Sequence, residues 1–182
     1  MTSKSGNYRI VVVGSDQFDD KAFIFGILDQ FKALWEDGGT VIDKVYSGSF
    51  TGVSKFTKEW AELQGVNYVE HHFFSDKKDN PIFERLDIPD FIISQDEYYQ
   101  KGKEFFQEQQ IDILITMPNK EGELGVHTQN ILRMAKAAGM TDRSILGAEA
   151  LYKISKEISA MRMSETKEKA QQVTKLSSID KF

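Results

Sequence analysis

The chain has 182 residues, 40 % hydrophobic and 28 % charged, with a net charge of −5, the proportions of an ordinary globular domain with a full core. It has no cysteine, which excludes disulfides and thiolate chemistry, and no apolar run approaches the roughly 18 residues of a membrane-spanning helix. The acidic balance argues against a surface built to hold nucleic-acid backbone, because neutralisation of phosphates by Lys and Arg supplies most non-specific affinity.

The first ten residues, MTSKSGNYRI, hold no apolar leader-like block, so a cytoplasmic location is expected. YRIVVVG (8–14) is continuously apolar and β-branched, the pattern of a strand buried on both faces. A helix follows to Gly38 and Gly39, capped by Asp19 or Asp20, with apolar residues at helical spacing through Phe23, Ile27, Leu28, Phe31, Leu34 and Trp35. VIDKVYSGS (41–49) predicts a second strand, GVSKFTKEWAELQG a second helix ended by Gly65, and VNYVEHHF a third strand.

Residues 73 to 93 break the rhythm, since FSDKKDN is polar and Pro81 and Pro89 interrupt regular structure. This insert, with Arg85 in it, reads as a surface loop in preference to a lid. A helix is predicted over SQDEYYQKGKEFFQEQQ, a fourth buried strand over IDILITM (111–117), and a further helix over HTQNILRMAKAAG. Strand and helix alternating in this way predict an α/β fold: a Rossmann-like three-layer α/β/α domain over residues 1–146 with a mostly parallel sheet. From Gly147 a long helix is predicted, with a stripe at Leu151, Ile154, Ile158 and Met161 and a frayed end over VTKLSSIDKF. Two readings of the stripe stay open: packing on the sheet, or pairing with a second copy in a homodimer.

Three predicted strand ends carry residues suited to a ligand, which binds outside the carboxyl ends of parallel strands. The first is GSDQFDD, with Gly14, Ser15 and Asp16; by itself it is equally the steep turn into a helix. The second, SGSFTG, sets Ser47, Gly48, Ser49, Thr51 and Gly52 before a helix whose first N–H groups favour a phosphate. Its bland alternative is a Ser/Thr cap and a turn. The third, PNKEGELGVHT, has Pro118, Asn119, Gly122, Gly125 and Thr128, the last a cap or a phosphate contact, with His127 a surface residue or an acid/base group. No GKS or GKT occurs, so a P-loop is absent. His71 and His72 are adjacent in a strand and point to opposite faces, so no metal site is predicted, and no cofactor is expected.

Together, RIVVVGSDQFDDKAFIFGILDQF, VYSGSFTGVSKFTKEWAELQGV and DILITMPNKEGELGVHTQNILRMAKAAGM resemble the SLOG superfamily of Rossmann-like nucleotide-binding proteins. The nearest branch is the small YspA-like one; the Lonely-guy phosphoribohydrolases and DprA are more distant. Gly14, Ser15, Phe18 and Asp20 meet the first motif of that branch, Gly48, Gly52, Trp60 and Ala61 the second, and Pro118, Thr128, Ala135 and Gly139 the third. The resemblance spans roughly residues 8 to 72 and 94 to 140. Asp16 stands where the motif has Arg, Thr51 and Ser54 replace an Arg and an Asp, and Asn119 and Lys120 replace two glycines. Ser54 retains the ability to cap the helix. Gln129 and Asn130 stand near the position where the hydrolases carry Glu, and Lys101 and Lys103 near that of their Arg.

The resemblance implies binding of a nucleotide or nucleotide-derived small molecule, in a sensing or sequestering role. Backbone N–H groups of the second loop would hold phosphate, and the aspartates of the first would meet ribose hydroxyls, since a carboxylate only accepts hydrogen bonds. An alternative is a phosphoribohydrolase, for which Glu121, Glu123 and His127 are the candidate catalytic residues. A second alternative is single-stranded DNA binding through Lys101, Lys103, the DKK at 76–78 and the aromatics Tyr98, Tyr99, Phe105 and Phe106; Phe105 and Phe106 are expected in the core, which argues against it.

Overall fold

Strand β1 (Asn7–Gly14) runs through the middle of the molecule and explains its architecture. Ile10 to Val13 are at most 2 % exposed; alternation along a strand sends Val11 and Val13 to one face and Ile10 and Val12 to the other. Both faces therefore need a covering layer. The structure, a computed structural model, describes residues 6–15, 17–48, 52–71, 93–119 and 121–179. The predicted insert up to residue 92, with Arg85, lies outside these residues, as do His72 and the DKK at 76–78; Ile93 is described and belongs to a helix.

The further elements are α1 (Lys21–Asp37), β2 (Val41–Ser47), α2 (Gly52–Gln64), β3 (Asn67–Glu70), α3 (Ile93–Glu108), β4 (Ile113–Met117), α4 (Val126–Ala137), β5 (Ile145–Leu146) and α5 (Ala148–Ile179). All strand pairs are parallel, in the order β3-β2-β1-β4-β5. The chain thus builds outward from β1 to β3, then returns to lay β4 on the other flank of β1. The reversal falls between β1 and β4, where Gly14 is in register with Met117; this is the topological switch point of the sheet.

On one face, Val11, Val13, Tyr46 and Leu114 pack with Phe105 and Phe106 of α3 and Ile131, Met134 and Ala135 of α4. On the other, α1 and α2 pack together and α2 packs on β1, the two helices contributing Ile24, Ile27, Leu28, Phe31, Val53, Trp60 and Ala61 to the buried set. Each fully buried aliphatic or aromatic side chain contributes on the order of 1.5–3 kcal/mol by leaving water. The α/β/α expectation is met, with every strand parallel.

One local reading is narrowed and three differ. Asp20, not Asp19, caps α1, its Oδ1 accepting from the Phe23 N–H at 2.9 Å. The core face of α1 centres on Ile24, Ile27, Leu28 and Phe31, and Leu34 falls outside it at 59 % exposed. Strand β5 escaped the sequence reading because two residues are too short for any periodicity. The end of the chain expected to fray continues as helix through Ile179, for the segment from Val173 holds no Gly or Pro to stop it.

Residues Met1–Ala148 and Glu149–Phe182 form two compact units. In the second, residues 159–175 are all exposed. Of the predicted stripe, Leu151 is buried, Ile154 half-buried and Met161 64 % exposed; the Ile158 side chain lies outside the description. Among the described residues, no helix is long and apolar enough to cross a membrane.

Candidate functional site

The three predicted loops leave the carboxyl ends of β1, β2 and β4, neighbouring strands of one parallel sheet, so all three open at one edge. Gly14, Ser15, Gly48, Gly52, Pro118, Asn119, Glu121, Gly122, Glu123, Gly125, His127 and Thr128 are described there; Asp16, Ser49 and Thr51 lie outside the described residues.

Gly14 forms the floor between β1 and β4. A Cβ there would lie 2.6 Å from Val53 Cγ2, 2.9 Å from Met117 Cβ and 3.0 Å from the Met117 carbonyl oxygen, so only glycine lets the end of β1, the start of α2 and β4 approach this closely. Gly52 opens α2 at φ +54°, a left-handed conformation that a Cβ disfavours. Directly after it, the Val53 N–H donates to the Ser15 carbonyl at 3.1 Å. The Ser15 hydroxyl accepts from the Gln17 N–H at 3.1 Å and its carbonyl also receives the Phe18 N–H at 3.4 Å, which rounds the first loop into a tight turn.

The end of β2 is tied to the same helix turn. Ser47 is fully buried, and its Oγ lies 2.8 Å from the Val12 carbonyl and 3.0 Å from Ser54 Oγ. A hydroxyl has one proton, so Ser47 donates to the Val12 carbonyl and Ser54 donates to Ser47. Ser54 Oγ then accepts from the Gly48 N–H at 3.2 Å. The Ser47 side chain is thus turned into the framework, and the Gly48 N–H is already engaged. Ser54 does not cap α2 as the resemblance allowed; it is the third helical residue, and its side chain reaches back to the strand ends. On β3, burial pushes the Tyr68 phenol up to about 12, with Ser47 acting in the opposite direction.

The third loop closes on Asn119. Its Oδ1 accepts from the Glu121 N–H at 3.1 Å and the Glu123 N–H at 2.8 Å, while its own N–H donates to the Glu123 carbonyl at 2.8 Å and its carbonyl accepts from Gly122 at 3.0 Å. The Glu121 and Glu123 residues are left exposed. Gly125, in extended conformation, is the N-cap of α4, which corrects the reading of Thr128 as a cap. Helix α4 starts at Val126, so Thr128 falls inside its first turn, 2 % exposed. His127 beside it is half-buried.

The central role of Asn119 is visible in retrospect in PNKEGE, because Asn after Pro and before Gly favours turns closed by its own side chain. The role of Ser54 carries no such local mark, since it acts on residues of another element. Phe105 and Phe106 are core residues at 8 % and 3 % exposure, which removes them from any base-stacking surface. Among the described residues, no three His, Asp or Glu side chains are grouped as metal ligands. No protein-family model and no curated protein matches this chain.

Proposed function

We propose that the chain binds a nucleotide or nucleotide-derived small ligand at the carboxyl ends of its parallel strands, as a sensing or sequestering module of the SLOG type. The observation that carries this reading is the glycine floor at the switch point: Gly14 has no room for a side chain and lies between two hydrogen-bonded turns, one closed on Ser15 and one on Asn119. Crevices at such reversals are where open α/β sheets take ligands, and rigid turns cost little to order on binding. The exposed Asp19 and Asp20 suit ribose hydroxyls, and backbone N–H groups suit a phosphate.

Hydrolysis of an N-glycosidic bond is the second reading, favoured by the way Asn119 fixes the backbone beneath two exposed carboxylates, Glu121 and Glu123. A carboxylate so placed would activate water. Thermal-shift measurements across nucleosides, mono-, di- and triphosphates and cyclic nucleotides test the binding reading; a panel without any rise in melting temperature rejects it. Free base released from a monophosphate by the wild type, and lost in Glu121→Gln or Glu123→Gln, would select the hydrolase.

A further inference from the structure

The ends of β1 and β2 share an anchor, the first turn of α2. Val53 holds the first through its backbone, at 3.1 Å from the Ser15 carbonyl. Ser54 holds the second through its hydroxyl, at 3.2 Å from the Gly48 nitrogen. The chain of bonds continues from Ser54 Oγ to Ser47 Oγ at 3.0 Å and from there to the Val12 carbonyl at 2.8 Å, so it ends on β1, two residues before the glycine floor. Ser47 and Ser54 are 0 % and 7 % exposed, so water does not readily replace either partner.

We infer that Ser54 is the positioning residue of the site: it couples the ends of β1 and β2, so that Ser15 and Gly48 keep one geometry toward a bound phosphoryl-bearing ligand. It acts through Gly48 and Ser47, without touching ligand. The inference rests on the nucleotide-binding reading for its ligand, while the coupling itself concerns the protein alone.

The residue type fits this role. A serine hydroxyl is both donor and acceptor, and here it must accept from Gly48 and donate to Ser47 at once. An aspartate would accept from Gly48 but present a charge to a buried hydroxyl, at a desolvation cost. Alanine would leave the Gly48 N–H without its partner. Threonine keeps the hydroxyl, and so separates loss of the bond from change of bulk.

The Gly48 N–H, which the sequence offered as a phosphate donor, is spent on Ser54. A ligand therefore benefits from Gly48 only through its fixed position.

The test uses the full chain with Ser54→Ala and Ser54→Thr. Hydrogen–deuterium exchange without ligand should quicken at least tenfold at residues 48 and 53 and in the 12–18 turn of Ser54→Ala, and return to within about twofold of wild type in Ser54→Thr. Exchange unchanged in Ser54→Ala, or raised only at Gly48, overturns the coupling. Where a nucleotide shifts the melting temperature of the wild type, Ser54→Ala should need at least tenfold more of it for the same shift, and equal concentrations would overturn the positioning role. If exchange behaves as stated but no nucleotide shifts the wild type, the coupling stands and the nucleotide reading falls.

Discussion

The indole N–H of Trp60 donates to Asp29 Oδ1 at 2.8 Å, a bond that joins α2 to α1. Trp60 is fully buried, so this bond serves a donor with little access to solvent. A second link, between Lys21 and Glu59, lies nearer the start of α1. The helix that supplies Val53 and Ser54 to the candidate site is thus held to α1 at two adjacent residues, Glu59 and Trp60.

Removing the acceptor should be costly in proportion to the desolvation of the indole. Asp29→Ala is expected to destabilise by about 1–2 kcal/mol, because an unpaired buried donor loses more than the net worth of one bond. Asp29→Asn keeps an acceptor oxygen and should stay within about 0.5 kcal/mol of wild type. Urea denaturation of the three proteins decides; equal losses in both variants would assign the effect to the charge and not to the bond.

Gly14 sets a sharper condition. A methyl group there meets Val53 Cγ2 at 2.6 Å and Met117 Cβ at 2.9 Å, and neither contact is with the far end of a flexible side chain that can swing away. Gly14→Ala is expected to cost about 1–3 kcal/mol, the range for overpacking a tight core. The second variant Gly14→Ala with Val53→Ala should recover part of that loss, since it opens the closest contact. A double variant no more stable than the sum of the two singles predicts would place the strain at Met117 instead.

These relationships mark how far the sequence could be read. The valine run of β1 and the apolar spacing of α1 and α2 are local properties, and they predicted the layers and their order. The register of Gly14 with Met117 joins residues more than a hundred positions apart, and nothing in either segment alone points to the other. Ser47 shows the same division: its position at the end of β2 was legible, but a serine before a glycine turn looks like a ligand contact until its hydroxyl is found on the Val12 carbonyl. Asp20 was legible as one of two caps, and only the bond to Phe23 chose between them.

Asn119 offers a variant that separates stability from binding. Its bonds to the Glu121 and Glu123 N–H groups lie at the surface, where water can take the place of the lost acceptor. Asn119→Ala is therefore expected to lower stability by less than about 1 kcal/mol. It should nevertheless loosen the third loop and reduce the thermal shift produced by any nucleotide that stabilises the wild type. A variant with an unchanged ligand response would remove this loop from the site.

Tyr68 makes the alkaline limb of stability a readable quantity. Burial raises its phenol to about 12, with Ser47 acting in the opposite direction, whereas an exposed tyrosine titrates near 10. Below pH 10 the phenol is protonated in both folded and unfolded chains, and the stability that comes from its raised folded pKa is fully present. Between about 10 and 12 the unfolded chain releases the proton while the folded chain keeps it, so stability falls as pH rises through this window. Tyr46 contributes with the same sign, its phenol also raised by burial. The melting temperature of the wild type should therefore fall more steeply from pH 10 to 12 than that of Tyr68→Phe, which has no proton to lose at this position. Parallel curves for the two proteins would show that the Tyr68 hydroxyl reaches solvent in the folded chain.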